Sequence, residues 1–529
     1  MLGSPLNPQD TAAQLTTFKS YLNLIGDCTP GIVEKKLKAA NELSENFETV
    51  VNSPQYPTFL ADAMKVFLKI LEEGEPQFIA EQNMQHLRKV LLEILHRIPS
   101  NDHLKRFVQP ILSLMFKLIK KENEDNVLVC IRIILELHKS FRPQMNEEIQ
   151  DFLAYVKMIY SMLPSHLPKI FEPRAQRKVK DMSEINVDQW LQDIYTLTPV
   201  VTDKKNNDQQ SVTATPGYKR PGTITGYNII PRGVQSLKVL AELPIIVVLM
   251  YQLYKQQVQP DMIEFIPLIM NTITLQPPPH TIASPGFNRE VFVDFIAAQI
   301  KTLSFLAYII KIYQNPVNSH SQQMVQGLLG LLRLCPQEVA HLRKELLIAA
   351  RHILSTELRN KFVPVIEQLF DENVLIGSGW TTHDSLRPLA YSTLADLVHH
   401  VRQSLPLHDL SLAVSLFSKN VHDESLPSTI QTMSCKLLLN LVECIRVKSE
   451  QDVGNGRELL MRMLEVFVLK FKTIAKVQLP QILQKCKQNT ASGTTTAAAV
   501  AAAATTTASV PAQQAQADTK PPPTPTTPA

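Results

Sequence analysis

Glycine is scarce in this chain, 16 residues in 529, and no Gly-x-x-x-x-Gly-Lys-Ser/Thr string occurs. That removes the backbone cradle of a phosphate-binding loop, and a glycine-rich loop followed by His-Arg-Asp and Asp-Phe-Gly elements is missing as well. The six cysteines, Cys28, Cys130, Cys335, Cys435, Cys444 and Cys486, stand far apart with no Cys-x-x-Cys. This excludes a zinc ribbon and reads as reduced, intracellular thiols. Charge of one sign is lacking too, since a net +4 over this length gives no electrostatic case for nucleic acid as the main partner. The strongest apolar run, residues 243–250, contains Pro244 and is too short to span a bilayer. Residues 1–10 have neither the basic end nor the apolar core of a secretory signal. Strand-type alternation is almost absent.

What is present is periodicity. Residues 386–402 and 430–446 repeat each other at an offset of 44 residues. Leu386, Leu389, Ala390, Leu394, Leu397, Val398 and Val401 match Ile430, Met433, Ser434, Leu438, Leu441, Val442 and Ile445, and Arg402 matches Arg446. Steps of three and four place such a stripe on one side of a helix. A period in the forties belongs to HEAT-type helix pairs stacked into a solenoid. Lys89-Val-Leu-Leu-Glu-Ile94 recurs as Arg132-Ile-Ile-Leu-Glu-Leu137, and a weaker register joins Leu303, Leu306, Ile309 and Ile310 to Leu347, Ala350, Ile353 and Leu354. The chain also exceeds the roughly 250 to 300 residues at which one core stops growing. The expected fold is therefore all-α, a HEAT-type α-solenoid, with 36 prolines marking short, stiff corners.

Composition divides the chain into five parts: a flexible N-terminus, 1–11; helical repeats, 12–168; a mobile insertion with a short helix around Trp190, 169–231; helical repeats again, 232–487; and a disordered Ala/Thr/Pro-rich tail, 488–529. Breaks are expected at Thr29-Pro30-Gly31, Ser53-Pro54, Gly74, Pro99 and Arg142-Pro143, and periodicity lapses across 276–288 and 371–382.

No pattern for chemistry emerges. Gly377-Ser-Gly379-Trp380 reads as an interhelical turn, and Gly454-Asn-Gly456 as a polar corner where positive backbone dihedrals fit. His399 and His400 are adjacent, so on a helix they point about 100° apart, unlike the i, i+4 pair of a zinc helix. Cys130 and His138 share a helix face, yet two ligands do not make a tetrahedral site. Arg174, Arg177, Lys178 and Lys180 form a short basic patch compatible with nuclear import or an acidic partner, and Thr524 and Thr527 precede prolines in the tail. The expectation is no catalytic, cofactor-binding or metal-ligating residue, no cofactor, and a function carried by surface.

Longer strings carry a family resemblance. Leu43-Ser-Glu-Asn-Phe-Glu48, Leu92-Glu-Ile-Leu-His-Arg-Ile-Pro99, the stretch from Ile230-Pro-Arg-Gly233 through Lys255, Asp294-Phe-Ile-Ala-Ala-Gln-Ile-Lys301 and residues 341–402 resemble the transformation/transcription domain-associated protein family. The resemblance resumes through Ile430-Gln-Thr-Met-Ser-Cys-Lys-Leu-Leu-Leu-Asn-Leu441 and Gly454-Asn-Gly-Arg457, covering most of residues 40–487. It implies the N-terminal HEAT-repeat part of a much longer chain from the pseudokinase branch of the phosphatidylinositol 3-kinase-related kinases. Because the kinase-like region is not matched, no catalytic residue is carried over, and the chain is expected to be a fragment or shortened product. The resemblance further implies a noncatalytic nuclear scaffold of SAGA-type and MYST-type histone acetyltransferase complexes. Its implied partners are their protein subunits and the activation domains of transcription factors, with neither sequence-specific nucleic acid nor membrane. The rival expectations are a HEAT-repeat arm of an active kinase of the same broad family, and a transport-receptor or phosphatase scaffold.

Overall fold

The computed structural model describes residues 8–145, 147–171, 230–283, 287–378, 383–451 and 456–491. Among them there is no strand, and an isolated bridge joins Asn123 to Arg232. The chain divides into two compact units, Met1–Leu459 and Leu460–Ala529.

The first unit is built from α1 (Pro8–Gly26), α2 (Val33–Glu45), α3 (Tyr56–Glu73), α4 (Asn83–Arg97), α5 (Val108–Lys121), α6 (Glu124–Phe141), α7 (Glu147–Phe171) and α8 (Leu237–Leu253). It continues with α9 (Lys255–Thr274), α10 (Arg289–Ile310), α11 (Ser321–Leu334), α12 (Ala340–Leu354), a 3-10 helix (Glu357–Leu369), α13 (His383–Val401), α14 (Leu407–His422), α15 (Ser428–Gln451) and the start of α16 (Gly456–Thr473). Odd and even members pair up to the 3-10 helix, which takes the first place in the pair with α13; α14 then pairs with α15. First helices stack on first helices and second on second, giving two parallel rows. This is the all-α HEAT-type solenoid, and each sequence echo joins second-row helices: α13 to α15, α4 to α6, α10 to α12.

Most equivalent echo positions share the same burial; Val398 is buried where Val442 is half-buried, and Arg402 is half-buried where Arg446 is exposed. Leu386 and Ile430, Ala390 and Ser434, Leu394 and Leu438, Leu397 and Leu441, and Val401 and Ile445 are all buried, while Leu389 and Met433 are both half-buried. Ser434 is tolerated inside because its Oγ donates to the Ile430 carbonyl at 2.9 Å. Helix α10 is long and apolar enough to cross a membrane by length and composition, but 67% of that window is buried among its neighbours. It packs against α8, α9, α11 and α12, which explains apolar side chains on nearly every face.

Helix ends follow local chemistry. Asn123, Ser236 and Asn288 cap α6, α8 and α10 by accepting from the N–H groups of Asn126, Val239 and Val291. Arg142, at φ 46°, ends α6 in the left-handed region just before Pro143. Residues 357–369 depart from the regular α-helix expected for a repeat, because Pro364 at their centre has no N–H for residue 360 and its ring clashes with that carbonyl. At the other end, α1 begins at Pro8, inside the stretch expected to be flexible.

Carbonyls at or just beyond the ends of first-row helices are met by buried or half-buried polar side chains of the second row. Arg88 on α4 is fully buried; its Nη1 donates to the carbonyls of Gly74 (2.9 Å) and Ile70 (3.2 Å), and its Nη2 to that of Leu71 (3.0 Å). Gln299 on α10 does the same for Thr272 and Leu275 at the end of α9, both at 2.8 Å, and Gln431 on α15 for Asp423 and Leu426 after α14. The carbonyls of Ile70, Thr272 and Asp423 also accept from the N–H groups of Gly74, Leu275 and Leu426, while those of Leu71, Gly74 and Leu275 lie where the helix gives out and leaves acceptors without an intrahelical partner.

Arg88 also pairs with Glu122, both fully buried, its Nε lying 2.7 Å from the carboxylate. Glu122 accepts from Asn126 at 3.1 Å, Gln85 accepts from Asn123 and Asn126, and Asn123 donates to the Gln77 carbonyl at 2.7 Å. Onto this corner the returning chain, 230–236, is fastened as a strap. Ile230 donates to the Phe78 carbonyl, Glu124 to that of Pro231 and Gly233 to that of Glu122, while the Arg232 guanidinium lies over the Phe78 ring. Residues 230–231, expected to belong to a mobile insertion, are held in place by backbone bonds to two successive corners. The remainder of that insertion from 172 to 229, with Trp190 and the basic patch, lies outside the described residues, as do the tail beyond 491 and its threonines.

Two outcomes follow from this corner. Replacing Arg88 by Met leaves Glu122 buried without its cation and should cost about 3–5 kcal/mol. Hydrogen exchange across α3–α6 should show that loss, and the Arg88→Met/Glu122→Met double variant should recover part of it. At Gly233 an added Cβ would come within 2.6 Å of Val127 Cγ2. Gly233→Ala is therefore expected to free the strap to limited proteolysis at 230–236, and adding Val127→Ala should restore resistance.

Candidate interaction surface

Charges between successive helices of a row are placed opposite one another. Along the second row Lys89 faces Asp125 (3.5 Å), Lys238 faces Glu124 (3.4 Å) and Asp294 (3.9 Å), Lys301 faces Glu345 (2.9 Å) and Arg351 faces Asp396 (3.1 Å). The first row repeats the device with Lys117 and Glu72, Lys120 and Asp151, and Lys157 between Asp261 and Glu264. Exposed pairs of this kind contribute about 0–1 kcal/mol each, so the ladder fixes register and partner choice more than stability.

Within the second row a hollow of about 420 Å³ opens across α6, α8, α10 and α12. Its floor is apolar, with Leu128, Ile131, Leu135, Ala241 and Leu342, and its rim carries the Lys238–Asp294 and Lys301–Glu345 pairs. Burial raises the Asp294 carboxyl above its ordinary 3.8; Lys238 opposes this, and Glu124 and Glu290 add to it. Desolvation pulls Lys238 down, but the carboxylates of Glu124 and Asp294 outweigh it and hold the ammonium above its usual value. Arg132 and Glu242 reach the same rim from α6 and α8 and form no ion pair among the described residues. Beside the hollow, Ile245 on α8 is 52% exposed and Ile348 on α12 is exposed as well; farther along the row so is Leu439 on α15. An apolar floor with charges of both signs at its edge suits a peptide segment.

The residues weighed for chemistry do not converge. Cys130 and His138 are buried in the α6 core; burial raises the thiol and lowers the imidazole, whose Nδ1 faces the Ile134 carbonyl at 2.9 Å. The His138 ring sits edge-on between Phe116 and Tyr254. His399 and His400 diverge, Nδ1 of His399 facing Asn440 and that of His400 the Asp396 carbonyl. Gly377 takes φ 89° beside the Arg343 guanidinium, as a turn requires, while Gly379 and Trp380 lie outside the described residues. Gly454 does too, and Gly456 starts α16. No group of three or more His, Cys, Asp or Glu able to hold a metal is found among the described residues. The hollow itself had no sequence signal, because its lining is drawn from four helices spread over positions 128–345.

Two rows of stacked helix pairs, ladder-linked and hollowed on one row, define a HEAT-repeat protein of the interaction type. Comparison with known sequences carries this further. Residues 291–526 match a family model described as the Tra1 HEAT repeat central region. The chain is 56% identical over 485 residues to the transformation/transcription domain-associated protein of Danio rerio and 54% identical over 481 residues to transcription-associated protein 1 of Drosophila melanogaster. These alignments cover 91% and 90% of the chain. With the protein of Saccharomyces cerevisiae named SAGA complex/NuA4 acetyltransferase complex subunit TRA1, identity is 32% over 474 residues and 84% of the chain. The chain belongs to the transformation/transcription domain-associated protein family. It spans 12% of the length of each of these relatives.

The ladder can be tested by charge reversal. Lys301→Glu sets like charges against Glu345 and should lower local stability by about 0.2–1 kcal/mol. The exchange Lys301→Glu/Glu345→Lys should return it, as read from hydrogen exchange in α10 and α12.

Proposed function

We propose that this chain is a noncatalytic scaffold segment of a transcription coactivator subunit of histone acetyltransferase complexes of the SAGA and MYST types, acting in the nucleus. The observation that carries this reading is the similarity, along most of the repeat array, to a relative named as a subunit of both SAGA and NuA4 acetyltransferase complexes. On this reading the rows are the working part. Ladder charges select which protein surfaces can approach, and the hollow over α6, α8, α10 and α12 receives an extended or helical segment, including activation domains of transcription factors. Arg132 offers such an acidic, amphipathic segment a cation while the floor takes its apolar side chains. The surface needs no general base or nucleophile for this task, and binding by a repeat array asks only for complementary shape and charge.

Affinity purification of the tagged chain from nuclear extract tests the proposal. Acetyltransferase subunits and acetylation of added histone are the expected result. Recovery of Ran-type GTPase or phosphatase subunits in their place would overturn it. In the same material, Arg132→Glu should reduce retention of an acidic activation-domain peptide while leaving the acetyltransferase subunits bound.

A further inference from the structure

The second unit consists of the rest of α16, a π turn at Ile474–Gln478 and α17 (Leu479–Ala491), with Met461, Leu464, Phe471 and Ile482 exposed. In the first unit one sealed titratable group, His138, has no part in the hollow or the ladder. Its imidazole is fully buried in the last turn of α6. Nδ1 faces the Ile134 carbonyl, which can only accept, so the single proton of the neutral ring sits on Nδ1. Nε2 is left a bare acceptor, without a hydrogen-bond partner among the described residues. Three consecutive helix pairs meet at this ring. Phe116 on α5 packs against it with ring centroids 6.2 Å apart, and Tyr254, in the turn between α8 and α9, at 6.1 Å. The Tyr254 hydroxyl donates in its turn to the Pro143 carbonyl between α6 and α7. The imidazole is thus packed into the joint between one inter-pair turn and the next.

We propose that His138 is an acid-sensitive wedge between the α6–α7 and α8–α9 turns, and that taking up a proton at Nε2 parts them. A proton there adds an N–H without an acceptor and a charge without a counter-ion, both costly inside a protein. The neighbouring ionisable groups do not offset that charge. On α5, Lys117 and Lys120 are turned to Glu72 and Asp151; on α7, Glu148 accepts from Ser113 and bears on Tyr254. Burial pushes the Tyr254 phenol up to about 12 and keeps the Cys130 thiol protonated, while Glu136, Lys139 and Lys255 are exposed. The Ile134 carbonyl favours the cation, but burial outweighs it and holds the imidazole below its ordinary 6.5. The wedge's contribution is therefore complete above 6.5 and is lost as pH falls through the lower value of the folded chain. Relief comes when Tyr254 leaves Pro143 and water reaches Nε2. Leu128, Arg132 and Leu135 on α6 and Lys238 and Ala241 on α8 line the hollow, so the parting loosens two of its walls, whatever partner the surface serves.

The test is a titration of the full chain between about pH 8 and 5, with deuterium uptake followed by mass spectrometry at each histidine Cε1 and, after correction for intrinsic exchange, at backbone amides. His138 should titrate below 6.5, and amides of 139–145 and 251–258 should lose protection together as it does, while those of α15 keep theirs. His138→Phe keeps an aromatic ring between Phe116 and Tyr254 but takes no proton, and should remain protected over the same range. Tyr254→Phe lacks the hydroxyl that reaches Pro143 and should open at a higher pH than the unaltered chain. Equal loss of protection in the His138→Phe chain would overturn the proposal. So would a His138 that titrates at or above 6.5, the result if the helix end or a ring face stabilised the cation. A low value with both turns still protected would overturn it too, and these last two outcomes are read on the unaltered chain even where the Phe variant does not fold.

Discussion

A buried hydrogen-bonding group must find a partner inside the protein, and in a stack of short helices that demand falls on the corners. Arg88 meets it at the point where α3, α4 and the turn into α6 converge. Its guanidinium closes the carbonyl end of one helix and neutralises Glu122 at the end of another. Two charges removed from water gain little net stability from each other, so the pair's effect is mainly to forbid alternatives. If α4 slipped along α3 by one residue, the cation would leave Glu122, and the carbonyls of Leu71 and Gly74 would lose the donor that Arg88 supplies. Glu122 in turn holds Asn126, Asn123 caps α6, and the strap docks on the same turn. Gln299 and Gln431 repeat the capping arrangement with neutral side chains, which gives the corner geometry without the demand for a counter-charge.

The interior and the surface therefore divide the labour. Apolar stripes make each pair close, buried polar caps set how far each pair is slid, and the ladder matches each row to its neighbour. Small errors in any one of these would shift the next repeat, because a solenoid passes its geometry along through nearest neighbours. The hollow depends on that accuracy. Leu128, Ala241, Ala297 and Leu342 line one cavity only when four second-row helices keep a common register.

How far the sequence foretold this depends on what carries each feature. The α13 and α15 echo was legible because apolar periodicity is local, and the two stripes have the same burial at nearly every shared position. Arg88, just before Lys89-Val-Leu-Leu92, gives no such signal, since a buried cation is recognised only through a partner 34 positions away. The strap was overlooked for a related reason. Residues 230–236 have no period, and what orders them is their backbone, which every sequence shares. Pro364 lies in a stretch that reads as uninterrupted helical repeat, and composition does not show that the chain keeps its place in the row there as a 3-10 helix. For the interaction surface, the chain announced an absence of chemistry but not the location of the hollow, because ladder and hollow are properties of neighbouring repeats.

The strap and α7 together bracket the stretch between Phe171 and Ile230. On one side Phe171 is buried against Phe287, Phe292 and Phe295; on the other Ile230 is bonded to the Phe78 carbonyl. Closing a longer loop between fixed ends costs only about 0.6 kcal/mol for each doubling of its length. The register of α7 and that of α8 are thus each set by contacts made on their own side of this stretch. The bracket makes this place in the array a socket where evolution can lengthen, shorten or replace a segment without renegotiating the stack around it.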